Sequence, residues 1–186
     1  MTGRRHVVLA VGSNLGDRLG TLQECVNAIG GLPDTDVLAI SPVYQTAPVG
    51  GPSQPDYLNA VLAVATGLGP EDLLAALHGI EASFGRVRKE RFGPRTLDID
   101  IISYQGELSD ADALTLPHPR AHERAFVLAP WHDIEADAEL PGHGPVAALL
   151  AAVDQTGVQR LPDAVLRPPG TGPHRAPPPA TPADAS

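Results

Sequence analysis

The spacing of apolar residues changes along the chain, and each change of period marks an element. His6–Val11 is a short, nearly continuous apolar run stopped by Gly12, the pattern of a buried strand. Gly12–Asp17 reads as a turn. From about Asp17, the residues Leu19, Leu22, Val26 and Ile29 fall at helical spacing, and Gly30-Gly31 closes that helix. Val37–Tyr44 reads as a strand that Pro42 forces into a bulge or onto a sheet edge, because proline has no N–H for the ladder. A Pro/Gly-rich loop at residues 47–56 leads into a strand over Tyr57–Thr66. Gly69-Pro70-Glu71-Asp72 opens a helix running to about Phe84, with proline near its first position and acids in its first turn. Leu97–Tyr104 is a further strand, Arg120–Trp131 reads as helical, Val146–Val153 as a short helix and Val158–Leu161 as a last strand.

The order strand, helix, strand, strand, helix, strand predicts an α+β protein, a ferredoxin-like α/β sandwich with an antiparallel sheet and helices packed on it. One domain is expected over residues 1–166. From Arg167 to the end, Pro, Gly, Ala and Thr dominate, with seven of the chain's 20 prolines. Such a segment has too little to bury to offset the entropy of ordering, so residues 167–186 read as a disordered tail.

Charge narrows the function. The net charge of −9 argues against nucleic acid or an anionic membrane as partner, since both call for a basic surface. The apolar runs are far shorter than the roughly 20 residues of a membrane span. The start is basic and then apolar, but its apolar part stops at Gly12, too early for a secretion signal. The one cysteine, Cys25, lies on the apolar face of a helix and reads as core; it permits no disulfide within one chain. The cytoplasm is the expected compartment. His122, His132, His143 and His174 show no ligand spacing, so no zinc site is assigned.

The chemistry concentrates in residues 86–100. Arg86, Arg88, Lys89, Arg91 and Arg95 put five of the chain's 13 basic residues into ten positions. The run ends at Gly93-Pro94 and leads into the strand carrying Asp98 and Asp100. Side chains at i and i+2 of a strand share a face, so these carboxylates repel each other unless a cation lies between them. The alternating Leu97, Ile99 and Ile101 supply a buried face behind them. Oxygen ligands of this kind suit Mg²⁺, which takes one or two carboxylates and completes its shell with water and substrate phosphates. Two aspartates and a nucleoside triphosphate carry roughly six negative charges and two Mg²⁺ ions offset about four, leaving the rest to the nearby arginines. A cationic loop beside a carboxylate pair is a layout for phosphoryl-type transfer.

Five segments in order resemble the 6-hydroxymethyl-7,8-dihydropterin pyrophosphokinases of folate biosynthesis. They are Gly-Ser-Asn-Leu (12–15), Gln-Pro-Asp-Tyr-Leu-Asn (54–59), Gly-Arg-Val-Arg (85–88), Gly-Pro-Arg-Thr-Leu-Asp-Ile-Asp (93–100), and Pro-His-Pro-Arg (117–120) with Arg124 and Phe126. The resemblance implies transfer of a diphosphate from ATP, the cosubstrate, to the pterin's hydroxymethyl oxygen with release of AMP. It implies that Asp98 and Asp100 bind two Mg²⁺ ions, and that Asp100, Arg86 and Arg95 are catalytic, the arginines on loops that close over the triphosphate. Glu81, Arg88, Lys89, His118 and Arg124 are then expected at the nucleotide. On the pterin side the resemblance implies Tyr57 and Phe126 as stacking aromatics and Asn59 as the amide reading the ring edge, an amide offering both donor and acceptor. Thr46, Pro48 and Val49 match the loop whose backbone reads that edge, and Asn14 the segment beneath it. The partners expected are small-molecule substrates, and the expected state is a monomer.

The chain departs from the family pattern in a loop one residue shorter between Lys89 and Gly93, in Phe92 for tryptophan, and in Pro119 and Ala113 where nucleotide contacts are common. Two other classes compete. A binding module that lost turnover would tolerate loss of Asp98, Asp100 or Arg95, yet all three are present. A metal-dependent nuclease would carry a basic groove beyond the loop, whereas the rest of the chain is acidic.

Overall fold

The structure is a computed structural model that describes residues 3–48, 53–85 and 96–170. Strand β1 (Arg5–Ser13) runs into helix α1 (Arg18–Gly30), whose first turn is capped by Asp17, the carboxylate accepting from Gly20 N at 3.0 Å. Strands β2 (Thr35–Ile40), β3 (Val43–Thr46) and β4 (Tyr57–Thr66) follow, then helix α2 (Pro70–Ser83) and strand β5 (Asp98–Tyr104). All pair antiparallel in the order β5-β1-β4-β3, with β2 also on β4, and β10 (Val158–Leu161) adds to the outer side of β3. This is the expected antiparallel sheet with helices packed on it.

The segment read as one strand over Val37–Tyr44 is two. β2 pairs the C-terminal half of β4 and β3 its N-terminal half, so they lie in line along one edge. Pro42 cannot donate to the ladder, and Ser41 bridges the break. Its N–H bonds Val61 O at 2.9 Å, and its hydroxyl accepts from Val61 N at 2.8 Å.

Alternation along β1 sends Val7, Leu9 and Val11 to one face and Val8 to the other. The first face packs α1 and α2 through Leu22, Cys25, Val26, Ile29, Leu73 and Leu77, so Cys25 is core as the periodicity indicates. The second face is covered by helix α3 (Ala125–Ile134) and helix α4 (Val146–Ala152) through Val127, Leu128, Trp131 and Val146. Burying side chains such as Leu128 contributes about 1.5–3 kcal/mol each.

The helix expected over Arg120–Trp131 is also two elements. Ala121–Glu123 forms a 3₁₀ turn, and Arg124 is extended (φ −110°, ψ 100°), so α3 starts only at Ala125 and continues through Pro130 to Ile134. Two hairpins carried no clear signal: β6 (Ser109–Ala111) with β7 (Leu114–Leu116), and the two-residue strands β8 (Glu139–Leu140) and β9 (Gly144–Pro145). At the C-terminal end contacts run past residue 166. Leu166 enters the core, Gln23 on α1 bonds the Arg167 backbone, and Pro169 lies against Gly30; residues 171–186 are outside those described.

Tyr44 ties β3 to α3, its hydroxyl donating to Asp133 Oδ2 at 2.6 Å. Burial, and then that bond, push the phenol up to about 12. The folded value lies above the roughly 10 of an unfolded tyrosine, so the folded state holds this proton more tightly. Its contribution is complete below about pH 10 and is lost as pH climbs through about 12. Tyr44→Phe is expected to cost about 1 kcal/mol at pH 8, the net worth of one hydrogen bond. In denaturant unfolding, the gap between wild type and variant should close between pH 10 and 12. A gap that stays constant to pH 12 would disprove the linkage.

Candidate active site

Strand register builds the site. Asp98 on β5 lies beside Gly12 on β1, Gly12 beside Asn59 on β4, and Asn59 beside Tyr44 on β3. Register partners in an antiparallel sheet project to the same face. Here it is the α3 face, as the Tyr44–Asp133 bond confirms. Asp100, two residues on from Asp98, shares that face, and so do Thr46 and Tyr57, themselves register partners. Gly12 is the floor between Asp98 and Asn59. A Cβ there would lie 2.7 Å from Asn59 Oδ1, so only glycine leaves room for the amide. Asn59 is fixed at its other end, Nδ2 donating to Thr46 Oγ1 at 2.6 Å.

These residues open onto a cavity of about 510 Å³ that brings together Thr46, Pro48, Tyr57, Asn59, Asp98, Asp100, His118, Arg124 and Phe126. The break at Arg124 puts its guanidinium 3.9 Å from Asp100 Oδ2 and 5.6 Å from the centre of the Phe126 ring, within cation–π range. His118 follows the cis Leu116–Pro117 bond, and its N–H is tied to Ile102 O at 2.8 Å. Its Nδ1 accepts from Arg120 N at 3.2 Å, which leaves the ring proton on Nε2, 4.0 Å from Asp100 Oδ2. Burial, and then the Arg124 charge, push the imidazole down to about 4 against the opposing pull of Asp98, so it is neutral near pH 7.

A second cleft of about 240 Å³ runs along the outer edge of β5, between α2 and the β6–β7 hairpin. It shares Asp98, Asp100 and His118 with the larger cavity, so the two spaces meet at the carboxylate pair. Leu74, Ile101 and Leu114 give it apolar walls. His78, Asp112 and Thr115 are polar residues along it, and two of the departures, Ala113 and Pro119, line it.

Glu81 and Asn14 also make bonds within the protein. Glu81 lines the smaller cleft but is 1% exposed, and its Oε1 accepts from the buried Ile99 N at 2.9 Å. The carboxylate therefore anchors β5 just beside Asp98 and Asp100. Asn14, also buried, does not line the cavity: its Nδ2 donates to Gln54 Oε1 at 2.9 Å and Pro55 O at 3.2 Å, fastening the loop before Tyr57. Val49, Arg86, Arg88, Lys89 and Arg95 lie outside the described residues.

The sequence reading did not single out Gln54, although it stands in a segment that carried the resemblance. It also passed over Asp154, Thr156, Gly157 and Val158, which form the far wall of the larger cavity. No local signal marks these four; they reach the site because β10 pairs with β3.

Among the described residues no group of three or more His, Cys, Asp and Glu side chains could hold an ion. Two carboxylates on one strand face, open to two cavities, instead fit a hard cation that draws its remaining ligands from substrate and water, as Mg²⁺ does. No helix among the described residues is long and apolar enough to cross a membrane.

A protein from Pseudomonas aeruginosa named 2-amino-4-hydroxy-6-hydroxymethyldihydropteridine pyrophosphokinase is 43% identical over 160 residues, covering 86% of this chain and 99% of its own. Proteins of the same name from Methylorubrum extorquens and Mycobacterium leprae are 40% and 44% identical, covering 82% and 81% of this chain and 96% and 84% of their own. The fold is shared with the Plasmodium falciparum HPPK-DHPS crystal structure of a triple mutant with SDX-DHP, at a TM-score of 0.62 and 11% identity. The match covers 81% of this chain and 44% of that longer one. The model of the 7,8-dihydro-6-hydroxymethylpterin-pyrophosphokinase family matches residues 8–136, and the chain belongs to that family.

Proposed function

We propose that this pyrophosphokinase of folate biosynthesis works across the ridge formed by Asp98 and Asp100, with the hydroxymethyl-dihydropterin in the larger cavity and ATP reaching in from the smaller cleft. The observation that carries this reading is that the two spaces meet only where those carboxylates and His118 are common to both. A two-substrate transfer needs such a meeting point, because the reacting oxygen and phosphorus must come within about 3–3.5 Å of each other.

In this reading Tyr57 and Phe126 hold the flat pterin, and Asn59, steadied by Thr46, reads its edge, with Thr46, Pro48 and Val49 contributing backbone. The hydroxymethyl oxygen attacks the β-phosphorus of ATP. The new oxygen–phosphorus bond forms as the bond from the β-phosphorus to the α-bridging oxygen breaks; AMP leaves and the hydroxyl proton passes to water. Mg²⁺, two ions in this proposal, would be held by Asp98 and Asp100 and would supply charge neutralisation on the phosphates. Arg124, beside Asp100, adds a fixed positive charge. His118, neutral and carrying its proton on Nε2, offers a hydrogen bond at the same point without adding charge. Arg86 and Arg95 meet the charge that grows as AMP departs, and Arg88 and Lys89 steady the nucleotide. Both substrates are small and soluble, and a monomer working in the cytoplasm is the proposed form.

The reaction itself is tested by its products. Incubation with ATP, Mg²⁺ and the hydroxymethyl-dihydropterin should release AMP in step with pterin consumed, and stoichiometric ADP would refute diphosphate transfer. Asp98→Ala and Asp100→Ala should each abolish most turnover while the protein stays folded. Full turnover in both at saturating Mg²⁺ would exclude a metal role.

Stacking on a flat heterocycle is worth on the order of 1–3 kcal/mol per aromatic ring. Phe126→Ala and Tyr57→Ala should therefore weaken pterin binding about tenfold or more and leave the affinity for a non-hydrolysable ATP analogue unchanged. Gly12→Ala should act on the same ligand by displacing Asn59. Equal losses for both ligands in titration calorimetry would argue for a structural role.

A further inference from the structure

The wall of the larger cavity that carries Thr46 is built on the shortest strand of the main sheet's inner rows. β3 is four residues long and pairs with β4 only over Tyr44–Thr46. Its other edge is held by β10 in the register Val158 to Thr46, Gln159 to Gln45, Arg160 to Tyr44 and Leu161 to Val43. The turn before β10 continues the support: Gly157 O accepts from Ala47 N at 3.3 Å, where Gly157 has φ +76°. Thus the segment facing the pterin is fixed along one side by the chain's C-terminal strand.

That strand is itself fastened from the opposite face of the sheet. Residues 162–170 cross α1, and Leu166 is 7% exposed in the α1–α2 core. The Gln23 side chain grips the strap as a backbone would. Its Oε1 accepts from Arg167 N at 2.8 Å, and its Nε2 donates to Arg167 O at 3.0 Å. Asn27, one turn on, accepts from the same Nε2 at 3.3 Å and helps orient the amide. Pro169 then rests on Gly30, where a Cβ would lie 2.3 Å from its Cγ.

We infer that Gln23 is a positioning residue for the pterin wall: by clamping the strap it holds β10 in register, and β10 holds Thr46 and the Ala47–Pro48 turn against Asn59. The inference rests on the pterin occupying the larger cavity. Gln23 touches no substrate. Its effect is transmitted through the strap and the β10–β3 ladder, which borders the larger cavity and does not line the smaller cleft. A selective effect on one of the two ligands follows.

The test is titration of the full chain with the hydroxymethyl-dihydropterin, in the presence of Mg²⁺ and a non-hydrolysable ATP analogue, and separately with the analogue alone. Gln23→Ala should raise the pterin Kd about three- to tenfold, the scale of one lost net hydrogen bond of organisation. The analogue's Kd should stay put. Gln23→Glu keeps the acceptor for Arg167 N and loses the donor, so it should fall between. Gly30→Val lifts the strap at its other end and should reproduce the Gln23→Ala pattern without altering Gln23. A lowered melting temperature with both affinities unchanged in Gln23→Ala and Gly30→Val would overturn the inference, and so would equal losses for both ligands. Asn59→Ala serves as the control on the cavity: if it leaves the pterin Kd unchanged, the assignment of that cavity fails and this inference falls with it.

Discussion

Two like charges held side by side on an edge strand are the constraint around which the molecule is arranged. Asp98 and Asp100 are kept on one face by the pairing of β5 with β1, and β5 is kept in place by the buried Glu81 carboxylate bonded to Ile99 N. An edge strand is open on one side, so the pair can be approached from both the α3 face and the outer edge. A central strand would offer only its faces. The same edge position makes the two cavities meet where the carboxylates are.

Around that pair, the sheet acts as a template and α3 as the lid of one cavity. The row Asp98, Gly12, Asn59 and Tyr44 crosses four strands, and its middle position must lack a side chain. Tyr44 closes the row by bonding to α3, and α3 begins late because Arg124 is extended. That delay brings the Arg124 cation close to both Asp100 and the Phe126 ring. Burial of Val127, Leu128 and Trp131 fixes the helix itself, so the polar contacts at its start inherit a rigid base.

Much of this was legible in the chain. Period changes located the first strand, α1, β4, α2 and β5, because each buries one stripe or face whose spacing is local. Asp98, Asp100, Tyr57, Asn59 and Phe126 line one cavity. Glu81 and Asn14 are both buried, and each also bonds within the scaffold, Glu81 to Ile99 N and Asn14 to Gln54 and Pro55. Sequence spacing identifies a polar residue near a site and cannot tell whether its polar atoms face the ligand or the scaffold.

The sequence by itself determined the succession of elements up to β5 apart from the division into β2 and β3, the core stripes of α1 and α2, and the residue types of the carboxylate strand, since these follow from periodicity and side-chain chemistry within short windows. Tertiary structure decided what depends on partners distant in the chain. It divided the Val37–Tyr44 segment at Pro42 because Val61 offers Ser41 a substitute ladder, and it required glycine at position 12 because Asn59 lies across from it. It also brought β10, more than 100 residues after β3, alongside Thr46 to finish the cavity wall. Strand pairing joins residues without regard to their separation in sequence, and no local pattern of apolar and polar positions records which edge a late strand will take.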